Sequence, residues 1–224
     1  MSEQAISKAV VLLSGGLDSA TILAMAQADG YTFYTIDPGD AVNDRAAELS
    51  GAELELVSLV ARENRLRIAV DAYLEHRLAN GEERLDYVII DCPPSLSLLT
   101  VNAMVAAHSV LVPLQSEFFA LEGLSQLMLS VRQVRSGPNP DLRIEGVVLT
   151  MYDRRNNLSQ QVENDARETL GDLVFRTIVP RNVRLSEAPS FAVPVLEYDP
   201  LSKGSRAYRA LAQEMVSRSK PATT

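Results

Sequence analysis

Residues 10–21 read V-V-L-L-S-G-G-L-D-S-A-T: a short apolar run, a glycine pair, then small and polar residues that open a helical pattern. A strand, a glycine turn and a helix start in that order leave unpaired backbone N–H groups aimed at one spot, where the helix dipole also favours negative charge. That combination is a phosphate cradle. A glycine pair is commonly no more than a tight turn. Here, however, Ser14, Asp18 and Ser19 crowd the turn with side chains able to donate to a phosphate or hold its metal ion. The candidate anion-binding residues are Ser14, Gly15, Gly16, Leu17, Asp18, Ser19, Ala20 and Thr21.

Outward from this stretch the elements alternate. Ala9–Leu13 reads as a strand, Asp18–Ala28 as a helix stopped by Gly30, and Thr32–Ile36 as a second strand ending at Asp37-Pro38. Residues 39–51 are polar and poorly patterned and mark a junction. Residues 52–80 carry helical periodicity, with Leu66, Val70, Tyr73 and Leu74 on one face. Tyr87–Ile90 is a continuous apolar run bounded by Asp86 and Asp91, the mark of a central parallel strand buried on both faces. Further strands are predicted at Ser109–Pro113 and Ile144–Thr150. Helices are predicted at Ser97–Ala107, Leu121–Val134 and Leu158–Leu170, the last closed by Gly171. Alternating strand and helix implies right-handed crossovers and a three-layer α/β fold, its mostly parallel sheet covered by helices on both faces. One α/β domain over residues 1–220 is expected, with 1–42 as its loop-bearing start, 43–220 as the remainder and 221–224 as a disordered tail.

At 224 residues the chain is long enough to bury a proper core without disulfides or metal. Cys92 is the single cysteine, so no disulfide forms within the chain, which suits a reducing cytoplasm. No window reaches the uncharged length of a membrane span, and the expectation is a soluble, cytoplasmic protein with no membrane partner. The net charge of −8 argues against a surface coated for nucleic acid. Residues 176–220 are the exception, with eight Lys/Arg against four acids, as either a solvated helix face or a polyanion-binding one. Cys92 reads as a small buried residue, since no histidine lies near it in sequence. His76 and His108 read as surface or packing residues, and Phe118-Phe119 with the leucines after them as core-facing. No catalytic dyad or triad is assembled.

Ser14–Ser19, S-G-G-L-D-S, resembles the PP-loop S-G-G-x-D-S of the ATP pyrophosphatases, which activate a substrate by adenylation. Read through to Ile36, the start is similar to that of 7-cyano-7-deazaguanine synthase (QueC), over about the first forty residues. From Ala47 onward the chain instead resembles a ParA-type partition ATPase, of the deviant-Walker P-loop class that includes MinD. The residues that carry this likeness are L-D-Y-V-I-I-D-C-P-P-S-L at 85–96, V-P-L-Q-S-E-F-F-A-L-E-G-L-S-Q-L at 112–127, G-V-V-L-T-M-Y-D-R-R-N-N-L-S at 146–159 and V-P-R-N-V-R-L-S-E-A-P-S at 179–190. The resemblance implies a metal role for Asp91, the Walker B carboxylate, and for Asp37. It also implies an adenine pocket at Met151, Pro180 and Arg181, and DNA contacts at Arg184, Arg206 and Arg209. Independently, Asp91 closes a buried strand, which puts a carboxylate at the sheet edge where open α/β folds bind ligands and where it can orient the water shell of Mg²⁺.

Departures from both families shape the functional expectation. A ParA protein begins with K-G-G-x-G-K-T-T. Here Ser14 stands for the lysine that reaches across the ATP-sandwich dimer, Ser19 for the lysine that holds the terminal phosphates, and Ala20 for the Mg²⁺-binding Thr. Losing both lysines removes charges that usually carry much of phosphoryl-transfer catalysis. The segment between the second strand and Ala47 is also shorter than the family's. The cysteine cluster for zinc and the substrate half of a deazaguanine synthase are absent, so no zinc is expected. The sequence therefore reads as a hybrid: a ParA-like nucleotide-binding protein of the DNA partition class with a PP-loop in place of the Walker A motif. Binding of ATP is expected to be weak or lost, hydrolysis impaired, and Mg²⁺, a homodimer and weak non-specific DNA contact are its expected companions. The alternatives are a non-enzymatic hybrid that at most binds phosphate or nucleotide, and an AMP-forming PP-loop enzyme.

Overall fold

The protein is described by a computed structural model over residues 8–13, 33–36, 62–92, 97–117 and 120–219. The glycine loop 14–21, the helix expected at Asp18–Ala28, Asp37, the junction at 39–51, Phe118-Phe119 and the tail 221–224 lie outside the described residues. The elements are β1 (Lys8–Leu13), β2 (Phe33–Ile36), α1 (Arg65–Ala79), β3 (Tyr87–Cys92), α2 (Leu98–Ala106), β4 (Ser109–Gln115) and α3 (Ala120–Arg135). They continue with β5 (Arg143–Thr150), α4 (Asn157–Leu170), α5 (Val183–Glu187), α6 (Val195–Tyr198) and α7 (Lys203–Ser219). The described residues fall into two compact units, one of residues 8–13, 33–36, 62–92, 97–110 and 127–143, the other of 111–117, 120–126 and 144–219. The units interleave along the chain.

In the first unit β3 lies between β2 and β1, and both pairings are parallel. Tyr87, Val88, Ile89, Ile90 and Cys92 are all buried, as a strand flanked by two others and covered on both faces requires. The strand runs two residues past the predicted end, so Asp91 lies inside it rather than stopping it. The extension follows from pairing, because β1 continues alongside to Leu13. Leu66 and Val70 of α1 are buried, while Tyr73 and Leu74, expected on the same face, are half-buried. Buried Asn102 of α2 ties the two helices: its Oδ1 accepts from the Leu66 N–H at 3.4 Å, and its amide donates to the Leu98 carbonyl at 2.9 Å. The amide of Asn139 answers the carbonyls left over at the end of α2, Met104 at 2.9 Å and Ala107 at 2.7 Å.

β4 and β5 are neighbouring strands that run the same way. The N–H of Arg143 donates to the His108 carbonyl at their starts, and that of Ser116 to the Thr150 carbonyl at their ends. β4 runs through Pro113 to Gln115, past the predicted end. In the second unit Val147, Val148 and Leu149 are buried, with Val162 and Ala166 of α4 and Tyr208, Leu211 and Met215 of α7. α4 starts where predicted because Asn156 caps it, its Oδ1 accepting from the Leu158 N–H at 2.9 Å. It ends where predicted because Gly171 takes φ 55, a left-handed value that suits a residue without Cβ. Beyond Gly171 the sequence predicts no helix or strand, only a basic segment and the family motif at 179–190, and there the structure adds α5, α6 and the 17-residue α7. Their signal was present: Tyr208, Leu211 and Met215 recur at helical spacing and are the residues α7 buries.

Candidate functional site

The register of the first unit places the predicted metal residue. Asp91 pairs with Leu12 and Cys92 with Leu13, so the half-buried Asp91 stands beside the last two residues of β1, from which the glycine loop departs at Ser14. β2 ends at Ile36 opposite Ile90, and Asp37 is the next residue in the chain. A carboxylate at the carboxyl end of a parallel strand is placed as open α/β sheets place their ligand-facing groups. Cys92 is 2 % exposed, a packing residue as expected. Among the described residues no group of three or more His, Cys, Asp or Glu is arranged to hold a metal. A Mg²⁺ with nucleotide demands no such cage, since one or two carboxylates with phosphates and waters suffice; Asp91 fits that requirement.

In the second unit the three residues assigned to the adenine pocket come together. The chain leaves β5 through Met151, which takes φ 52, unusual for a residue with a side chain. Tyr152 then bridges to Pro180 in parallel fashion: its N–H donates to the Val179 carbonyl at 3.2 Å, and its carbonyl accepts from the Arg181 N–H at 3.0 Å. Met151, Pro180 and Arg181 therefore share one backbone platform at the carboxyl end of β5. Sequence reasoning missed the residue that pins it. Buried Tyr152 donates its hydroxyl to Glu163 Oε2 at 2.6 Å, and Arg167 Nε donates to Glu163 Oε1 at 2.9 Å. The bond to Glu163, with burial second, raises the Tyr152 phenol above its ordinary range. Burial pushes Glu163 up, but the donors Tyr152 and Arg167 outweigh it and hold the carboxyl below its usual value. A tyrosine two residues after a buried strand, eleven residues before a glutamate on the next helix, was the available signal.

The three arginines assigned to DNA gather around the turn at 198–202, with unequal freedom. Arg184 is committed: Nη1 donates to Glu187 Oε2 at 2.8 Å, Nε lies 3.4 Å from Asp199 Oδ2, and the guanidinium stands 6.0 Å from the Tyr198 ring centroid. Arg209 spends one N–H on the Pro200 carbonyl at 2.8 Å and forms no carboxylate pair among the described residues. Arg206 and Lys203 are exposed and carry no ion pair among the described residues. Both sit in the first turn of α7, where the helix dipole is positive and disfavours cations. Arg176 and Arg218, by contrast, belong to the other end of that helix. There Glu214 accepts the N–H groups of Arg176 and Thr177 at 2.8 Å each and pairs with Arg218 at 2.7 Å. The basic segment thus resolves into a structural clamp at one end of α7 and a cationic face at the other.

A family model described as an AAA domain matches residues 40–144, and one described as queuosine biosynthesis protein QueC matches residues 8–71. The second reaches well past the first forty residues, and the two overlap. The chromosome partitioning protein ParA of Caulobacter vibrioides is 57% identical over 181 residues, 81% of this chain and 66% of that protein. The sporulation initiation inhibitor protein Soj of Bacillus subtilis is 51% identical over 168 residues, 75% of this chain and 63% of that protein. The chain thus matches just under two thirds of the length of these curated relatives. Cobyrinic acid a,c-diamide synthase of Mycobacterium smegmatis, solved with an ATP analogue and magnesium, superposes with a TM-score of 0.69 at 26% identity, over 97% of each chain. No helix among the described residues is long and apolar enough to cross a membrane. The chain is a homologue of the ParA/MinD-type partition ATPases and has their α/β P-loop NTPase fold.

Proposed function

We propose that this chain is a nucleotide-binding protein of the DNA partition class whose glycine loop carries PP-loop chemistry, so that ATP hydrolysis is impaired or absent. The observation that carries this reading is the loop itself. Ser14 and Ser19 occupy the two lysine positions of the ParA pattern, and no lysine stands anywhere between Lys8 and Lys203 to replace them. The backbone N–H groups of a strand–glycine–helix turn still favour an anion, but a terminal phosphate would lack the point charge that neutralises it. Asp91, beside the end of β1, supplies a carboxylate that orients the water shell of a divalent cation. When bound, Mg²⁺ neutralises phosphate charge. Met151, Pro180 and Arg181 offer the base a platform held by Tyr152 and Glu163. Lys203, Arg206 and Arg209, with the partly neutralised Arg184, form the face for DNA. The QueC match over residues 8–71 favours one second reading, release of AMP and pyrophosphate rather than ADP.

The test is product analysis after incubation with ATP and Mg²⁺, paired with nucleotide titrations. The unmodified chain should turn over at or near background. Ser19→Lys combined with Ala20→Thr should raise ATP affinity, because it restores a phosphate-holding charge and a metal-binding hydroxyl. Robust ADP formation by the unmodified chain would sink the proposal, while AMP with pyrophosphate would support the second reading instead.

A further inference from the structure

Beside the cationic face lies an exposed aromatic ring. Phe191, 62% exposed, ends the short turn Ala188–Phe191, and Ala192 follows in the left-handed region at φ 53. Phe191 is not loose: its ring stacks on Tyr198 with centroids 5.0 Å apart and planes 23° from parallel. Tyr198 is fixed in turn, its hydroxyl donating to Glu187 Oε2 at 3.2 Å and its ring standing 6.0 Å from the Arg184 guanidinium. An aromatic ring clamped on one face by a second aromatic and open to solvent on the other is a preformed stacking surface. Exposing a phenylalanine forfeits burial free energy.

We infer that this face binds single-stranded nucleic acid in preference to duplex, with a base stacked on the outer face of Phe191 and the flanking phosphates met by Lys203, Arg206 and Arg209. The inference rests on the reading of the arginine face as a polyanion contact and specifies its substrate. In a duplex the bases are already stacked on one another and present only their edges, so an exposed ring gains little. In a single strand each base offers a free π face, and a stacked base contributes enough that removing its aromatic partner weakens binding roughly 5- to 150-fold. Of the carboxylates in this region, Glu187 and Asp199 are engaged by Arg184, while Glu197, on the helix that carries Tyr198, is exposed. Lys203 and Arg206, without ion pairs among the described residues, are left to meet phosphate.

The experiment uses the whole chain, a fluorescent twenty-residue oligothymidine and a twenty-base-pair duplex, at two salt concentrations. The single strand should bind more tightly than the duplex. Phe191→Ala should weaken single-strand binding about tenfold and leave duplex binding unchanged, while Phe191→Trp should retain it. Phe191→Ala also removes the stack on Tyr198, so its melting temperature should fall only slightly, and retained binding by Phe191→Trp separates lost stacking from lost structure. Duplex binding equal to or tighter than single-strand binding, or a Phe191→Ala variant that binds single strand unchanged, would overturn the inference while leaving the arginine face intact. If neither nucleic acid binds, the polyanion reading falls with it.

Discussion

At Gly146 of β5 a Cβ would come within 2.4 Å of Phe175 Cε2 and 2.8 Å of the Leu173 carbonyl oxygen. Phe175 is fully buried, and its ring also carries the Arg218 guanidinium, 4.1 Å from the ring centroid. The ring therefore has nowhere to retreat, and the carbonyl is backbone. Gly146→Ala should cost about 1–3 kcal/mol or more, the range for overpacking a close-packed site. Urea unfolding of the variant should show that loss as a lowered midpoint at unchanged slope. Gly204 differs in kind, because its nearest neighbour is the Leu185 side chain, with Cγ at 2.7 Å, and a leucine can shift. The same distinction separates legible from illegible site residues. Asp91, Met151, Pro180 and Arg181 were assigned from family motifs, Asp91 also from its place at the end of an apolar run. Tyr152 and Glu163 were not, because a tyrosine after a strand and a glutamate eleven residues on become partners only once the strand end and the helix pack together.

The C-terminal helix α7 shows how one element is anchored from both directions. Buried Tyr208, Leu211 and Met215 supply its apolar contact, at roughly 1.5–3 kcal/mol for each large side chain fully removed from water. At its far end Glu214 accepts from two successive backbone N–H groups. Arg218 answers the carbonyls of Asp172 at 2.9 Å and Val174 at 3.0 Å. Burial raises the Glu214 carboxyl, but the N–H groups of Arg176 and Thr177, with Arg218, outweigh it, and the net effect lowers its pKa. A carboxyl lowered in the folded state stabilises above its unfolded pKa, near 4.3 for an ordinary glutamate, and that stability is lost as pH falls through the folded value. Unfolding followed from pH 7 down to pH 3 should therefore show a loss of stability below about pH 4.5 that Glu214→Gln diminishes, with the variant already less stable at pH 7. An unchanged acid limb in Glu214→Gln would show that the clamp contributes nothing. The strands were legible as short continuous apolar runs, which mark strands buried on both faces, and the central helices through period-3.6 patterns. Asp91 and Cys92 were assigned outside β3 because strand length is set by the neighbour β1 as well as by local composition. The short α5 and α6 owe their ends to caps and prolines, Asn182 before α5 and Pro194 before α6, and carry too few residues for a periodic signal.

Across the whole molecule the charge is divided. The chain is −8 overall, yet residues 176–220 hold an excess of basic residues, and part of that excess is spent internally on Glu187, Asp199 and Glu214. What remains for an external polyanion is chiefly Lys203, Arg206 and Arg209, and an acidic protein repels a phosphate backbone everywhere else. So few contacts give weak binding unless two copies bring two faces to one strand, when effective concentration multiplies the affinity. In the ParA pattern the lysine at the position of Ser14 is what joins nucleotide to that pairing, and the proposed reading is that serine does not replace it. Nucleic-acid binding by this chain should therefore be weak, independent of sequence and indifferent to ATP. Each phosphate contact contributes a slope of about −0.9 in log affinity against log salt for duplex DNA. Three contacts predict a slope of about −3, and Arg206→Ala together with Arg209→Ala should bring it to about −1. Arg184→Ala should change the slope little, since its charge is already paired with Glu187 and Asp199. Titrations of a duplex from 50 to 200 mM salt, with and without ATP and Mg²⁺, measure every term. An ATP-dependent gain in affinity, or a slope well beyond −3 that steepens with ATP, would mean that the loop still couples nucleotide to pairing without its lysines.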